Sequence, residues 1–157
     1  MSIRTLAQPT PIPSTRISRS ADDLLASARR SLVEARIATT AGERYAAAHL
    51  AALRAAAAVL AARTRPGGSR GAAARRRSRV MSVWVVLPQV APELGEWATF
   101  FAAGARKRAA AEAGLDVVSH READDLVRDA DTFLARVCEV LDVPYQPAIG
   151  STLLHVG

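Results

Sequence analysis

Apolar residues recur along this chain with the period of a helix, and nowhere with the strict alternation of a half-buried strand. The clearest stretch is the last. Ala123, Leu126, Ala130, Phe133, Val137 and Val140 step by three and four residues, a stripe of about five turns. "SHRE" opens it as a capping box, with Ser119 as cap and Glu122 three positions on, and Pro144 closes it. Asp124, Asp125, Asp129 and Asp131 fall on the other faces.

The same spacing predicts a first helix from near Ser20, with Ser20 as cap and Asp23 at its third position. Its stripe is Leu24, Leu25, Ala28, Leu32 and Ala35, with Arg29, Arg30 and Glu34 elsewhere, and "TTAG" reads as a tight turn around Gly42. A second helix follows over Glu43 to Arg63, "ERYAAAHLAALRAAAAVLAAR". Leu50, Leu53, Ala57 and Leu60 mark one face, and alanine fills most of the rest. A helix apolar nearly all round is expected at the centre of its bundle or against a second chain.

The pattern then breaks. "RTRPGGSRGAAARRRSR", residues 63–79, holds seven arginines, no acid, and the helix breakers Pro66, Gly67, Gly68 and Gly71, and it reads as an exposed basic loop. Beyond it, a short helical or extended segment over Val83 to Leu87 should turn at Pro88. A longer helix should begin near Pro92, burying Leu94, Trp97 and Phe101, with Gly104 allowing a close crossing and Arg106 to Arg108 solvated.

The fold class expected is therefore all-α: a four-to-five-helix up-and-down bundle with a long basic loop between the second and third helices. Residues 1–19 form an N-terminal arm, 20–143 the bundle (with the loop at 64–79), and 144–157 a tail. At 157 residues the chain has the length of one domain. Its alanine content and 4% aromatic residues fit closely packed helices better than a sheet.

The net charge of +6 rests almost wholly on arginine, since Lys107 is the only lysine. Arginine dominance fits bidentate phosphate contacts and equally a GC-rich coding sequence. The single cysteine, Cys138, excludes an internal disulfide and a multi-cysteine metal site, and fits a half-buried thiol in a reducing cytoplasm. There is no uncharged apolar run of 18 residues, so no membrane association is expected. The N-terminal segment lacks the apolar core of a secretory signal.

Candidate chemistry is sparse. His49, His120 and His155 lie in three separate elements without ligand spacing, so neither metal nor cofactor is expected. "RPGGSRG" lacks the lysine and the leading strand of a phosphate-binding loop, and no base accompanies Cys138 or any serine in a recognisable pattern. Arg44 and His49 remain. Five residues apart, they stand about 140° apart around the helix axis and do not converge unaided. Arg44 lies in a first turn, where the dipole disfavours a cation, so an acidic partner is expected for it on the last helix. A lone histidine among alanines most often packs and hydrogen-bonds a neighbour.

"SADDLLASARRSLVEA", "AGERYAAAHLAALRAAAAVLAAR", "ELGEWATFFAAGARKRAAAEAG" and "READDLVRDADTFLARVCEVL", taken in order, resemble the HEPN superfamily of small helical domains. The likeness is to its small bacterial SAV-type branch and covers about Ser20 to Val143. The resemblance implies a helical bundle that commonly dimerises, often as a partner of other proteins or as a nucleic-acid-associated module. A ribonuclease subset of the superfamily carries Arg-x₄₋₆-His near the last long helix. Here that region reads "VVSHREADDL", with His120 before Arg121, and Arg44 and His49 match the spacing on the wrong helix.

The function expected is thus a non-catalytic scaffold acting through protein–protein contact as a homodimer, with an unidentified protein partner. Its interface is expected at Leu50, Leu53, Trp97 and Phe101. The first alternative is weak, nonspecific nucleic-acid binding by Arg65, Arg70, Arg75, Arg76, Arg77 and Arg79. The second is a metal-independent ribonuclease using Arg44 and His49.

Overall fold

The computed structural model describes residues 18–64 and 82–147. Residues 1–17 of the N-terminal arm, residues 65–81 with the candidate arginines of the basic loop, and residues 148–157 lie outside the described residues. Five α-helices follow one another: α1 (Arg19–Ile37), α2 (Ala41–Arg63), α3 (Val83–Val90), α4 (Gly95–Glu112) and α5 (His120–Val140). A 3₁₀ turn, Pro92–Leu94, leads into α4, and no strand occurs among the described residues.

Helix α2 is the axis of the bundle, and every other helix packs on it. The reason is its alanine face. Ala48, Ala51, Ala52, Ala55, Ala56 and Ala58 are buried together with Tyr45, His49 and Val59. Side chains this short let neighbouring backbones come close from several directions. The leucines that mark the helix in the sequence behave otherwise: Leu50, Leu53 and Leu60 are only half-buried. The core face of α2 is therefore the alanine face, not the leucine stripe. By length and composition α2 would also suit a bilayer crossing, yet half of that stretch is buried inside the bundle, as in a core helix.

Helix α5 follows its sequence pattern closely. Ala123, Leu126, Ala130, Phe133 and Val137 are buried, joined by Leu134 and Cys138, while Val140 is half-buried. Its capping box is complete: Ser119 Oγ accepts from the Glu122 N–H at 3.1 Å, and Glu122 accepts from the Ser119 N–H at 2.8 Å. Those bonds and the Lys107 ammonium hold the Glu122 carboxyl down to about 2, the lysine contributing most. Cys138 is fully buried rather than half-buried, and desolvation raises its thiol pKa.

Several boundaries differ from the sequence pattern. The cap of α1 is Ser18, whose Oγ accepts from the Ala21 N–H, so the helix begins before Ser20. Leu24 is half-buried, and the core stripe is Ala21, Leu25, Ala28, Ser31, Leu32 and Ala35. Gly42 belongs to the first turn of α2, which Thr40 caps, instead of forming a turn of its own. Pro88 lies inside α3 rather than ending it. In so short a helix its missing N–H forfeits one bond, and burial of Trp84, Val86 and Leu87 holds the segment helical.

Every tryptophan and phenylalanine in the chain joins one aromatic cluster between α3, α4 and α5. Phe101 sits at its centre, 5.1 Å from the Trp84, Phe100 and Phe133 ring centres. Where α4 crosses α2, Gly104 faces Tyr45, and a Cβ at Gly104 would lie 2.8 Å from Tyr45 Oη and 3.5 Å from His49 Cδ2.

Gly104→Ala gains about 1 kcal/mol of helix propensity but overpacks this crossing by about 1–3 kcal/mol. We expect it to lower the urea midpoint, and Tyr45→Phe, which removes the obstructing hydroxyl, to restore most of the loss in the double variant. Ser119→Ala should cost about 1 kcal/mol, read from the same transitions.

Candidate functional site

The two residues that carry the ribonuclease spacing part ways in the folded chain. Arg44 leaves the first turn of α2 towards α5, where its Nη1 pairs with Asp124, and its Nη2 donates to the Ala38 carbonyl at 3.2 Å. The acidic partner expected on the last helix is thus Asp124. It offsets a cation at a helix N-terminus, and the Ala38 carbonyl ties the same side chain to the end of α1.

His49 points instead into the α2–α4 crossing and is 1% exposed. Its Nε2 lies 2.9 Å from the Phe101 carbonyl. A carbonyl only accepts, so Nε2 carries the proton and donates. The ring meets Trp84 and Phe101 edge-on, at 5.9 and 5.8 Å between centres. Nδ1 is buried without a hydrogen-bond partner among the described residues. Desolvation therefore lowers the His49 pKa, and the Phe101 hydrogen bond opposes it only in part. A second proton would go to an atom with no acceptor.

This arrangement suits packing. A general base must reach the proton it moves directly or through one water, and His49 is enclosed by aromatic rings. His120 and Arg121, neighbours at the start of α5, are both exposed. Among the described residues, no group of three or more His, Cys, Asp and Glu side chains is placed to hold a metal ion.

Of the interface residues named from the sequence, Phe101 is fully buried within the chain and is a core residue. It lies at the hub of the aromatic cluster, so it is not available to a partner. The adjacent Phe100 is the exposed one, at 45%, and Val85 on α3 is 52% exposed. Trp97, half-buried, touches both Phe100 and Phe101. Only the residue spacing distinguishes Phe100 from Phe101, since one position turns a side chain about 100° around the helix.

A depressed histidine pKa fixes the sign of its pH effect. The unfolded chain takes up a proton near the ordinary value of 6.5, while folded His49 resists it. The neutral ring's contribution is fully present above that value and falls away as the pH drops below it, with a slope of at most about 1.4 kcal/mol per pH unit. Between pH 7 and 5 the wild type should lose more stability than His49→Gln, measured by urea unfolding at each pH. Parallel curves would contradict a buried neutral ring.

The family model HEPN_SAV_6107, of SAV_6107-like HEPN domains, matches residues 35–138. No curated protein and no solved structure matches the chain significantly. The matched stretch runs from the end of α1 to Cys138 on α5, and so takes in α2 with its alanine face, the aromatic cluster and the capping box. The chain belongs to the HEPN superfamily, in its SAV_6107-like branch.

Proposed function

We propose that this protein is a non-catalytic HEPN-like scaffold, acting in the cytoplasm through protein–protein contact and assembling as a homodimer. The observation that carries this reading is the separation of Arg44 from His49. One is committed to Asp124 and the other is sealed against the Phe101 carbonyl, which leaves no convergent pair for RNA chemistry. The exposed Phe100 and Val85, with half-buried Trp97, supply apolar contact area of the kind that interfaces use. Half-buried Leu50 and Leu53 stay in the proposed interface, and Phe101 leaves it.

A second reading draws on Arg65, Arg70, Arg75, Arg76, Arg77 and Arg79, which favour salt-sensitive, sequence-indifferent binding to nucleic acid. Against it stand the eight acids between Asp116 and Asp142, which compete for the same charge. Five of them, Glu122, Asp124, Asp125, Asp131 and Glu139, already pair with cations of the bundle, which reduces that competition.

Light scattering at micromolar concentration should give a dimer mass, and Phe100→Asp should shift it towards the monomer without unfolding the chain. A monomer mass throughout would remove the dimer. Incubated with structured and unstructured RNA in the absence of metal, the purified protein should leave both intact. Cleavage that disappears in folded His49→Gln and Arg44→Ala variants would overturn the non-catalytic reading. His49→Ala should lower stability by about 1–3 kcal/mol, through lost packing and an orphaned carbonyl. For the second reading, deletion of residues 67–78 should abolish nucleic-acid binding in an anisotropy titration and leave cooperative unfolding of the bundle intact.

A further inference from the structure

One end of the bundle carries a surface that none of the preceding chemistry uses. The α1–α2 turn, the first turns of α2 and the α4–α5 connection enclose an open groove of about 1080 Å³. Its base is apolar: Ala46, Ala111 and the buried Val118 line it. The two helices meet closely there, since a Cβ on Gly42 would lie 3.7 Å from Ala111 Cβ. Leu115, 57% exposed, stands at the wall, and Val117, 43% exposed, lies two residues on. A groove of this size accommodates several side chains.

The rim is acidic. Glu43, Glu112 and Asp116 line the groove; His120 lines it too, and no lysine or arginine does so among the described residues. Glu112 shares its charge with Arg108, at 2.9 Å. Glu43 accepts from the Thr39 hydroxyl, which is neutral, and Asp116 has no cationic partner among the described residues.

Two helix N-termini, those of α2 and α5, open on the same groove and would by themselves favour an anion. Magnitude decides between the two tendencies. Each terminus is equivalent to roughly half a positive charge, so the pair is worth about one. Their N–H groups are also partly taken by the Thr40 and Ser119 caps. Three carboxylates outweigh that, even with one of them shared.

We propose that this groove is a docking site for a cationic peptide segment of a partner protein. An aliphatic side chain of the segment rests on Ala46, Ala111 and Val118, and its arginine or lysine is held by Glu43, Glu112 and Asp116. The proposal rests on the scaffold reading and gives its partner a chemistry. It is independent of the α3–α4 apolar face.

The test uses the full chain and a fluorescein-labelled peptide, Leu-Arg-Arg-Leu-Arg-Arg, followed by anisotropy. Its counterpart Leu-Glu-Glu-Leu-Glu-Glu and inorganic phosphate serve as competitors. Saturable binding of the arginine peptide is expected, weakened about tenfold or more by Asp116→Lys and severalfold by Leu115→Ser. Glu139→Lys makes the same change in net charge far along α5, outside the groove, and should alter the affinity less than twofold. Equal weakening by Asp116→Lys and Glu139→Lys would reduce the effect to bulk charge and overturn the docking site. So would the absence of saturable binding, or displacement by phosphate or the glutamate peptide. Any of these outcomes alongside an intact dimer mass defeats the groove and spares the scaffold, whereas loss of the dimer with peptide binding retained does the reverse.

Discussion

The close approach that alanine permits along α2 is the constraint on which the rest of this bundle depends. Four helices share one axis because that axis offers almost no side-chain thickness on its buried face. The arrangement costs hydrophobic area per residue, since an alanine buries little, and it compensates with density of contact. The larger side chains are gathered elsewhere, in the aromatic cluster where α3, α4 and α5 close over α2. The protein thus has two kinds of core: a thin one along its axis and a thick one at its flank. His49 stands where they meet, which is why it is both enclosed by rings and tied to a backbone carbonyl.

That division explains what could be read from the residues in order. Helix α5 is legible because it has one apolar face and several acids to define the others, so its cap, stripe and limits all agree. Helix α2 is illegible in its orientation. With alanine on nearly every face, hydrophobicity singles out the leucines, while packing selects the positions where the smallest side chains admit a neighbour. The placement of Phe101 in an interface fails for a related reason. Phe100 and Phe101 are equally apolar, and only the direction of α4 decides which faces the cluster. The choice between Ser18 and Ser20 as cap is another case, since both are serines near the start of one periodic run.

The candidate site was legible in part. The requirement for a carboxylate opposite Arg44 follows from the helix dipole alone, and Asp124 meets it. The role of His49 follows from its isolation among alanines, but its partner does not. The Phe101 carbonyl comes from a helix more than fifty residues along, and no side-chain pattern announces a backbone acceptor. The acidic groove has no signature in the sequence. Glu43, Glu112 and Asp116 belong to separate segments, and it is the meeting of two helix ends at Gly42 and Ala111 that assembles them.

Cys138 gives the molecule a property of a different kind. It is the only thiol in the chain, it lies on the buried face of α5, and desolvation holds it in the unreactive protonated form. A reagent that attacks thiolates can reach it only when α5 lifts away from its neighbours. The rate of its modification under native conditions therefore measures how often the bundle opens and for how long, a fluctuation clock that needs no label or substitution.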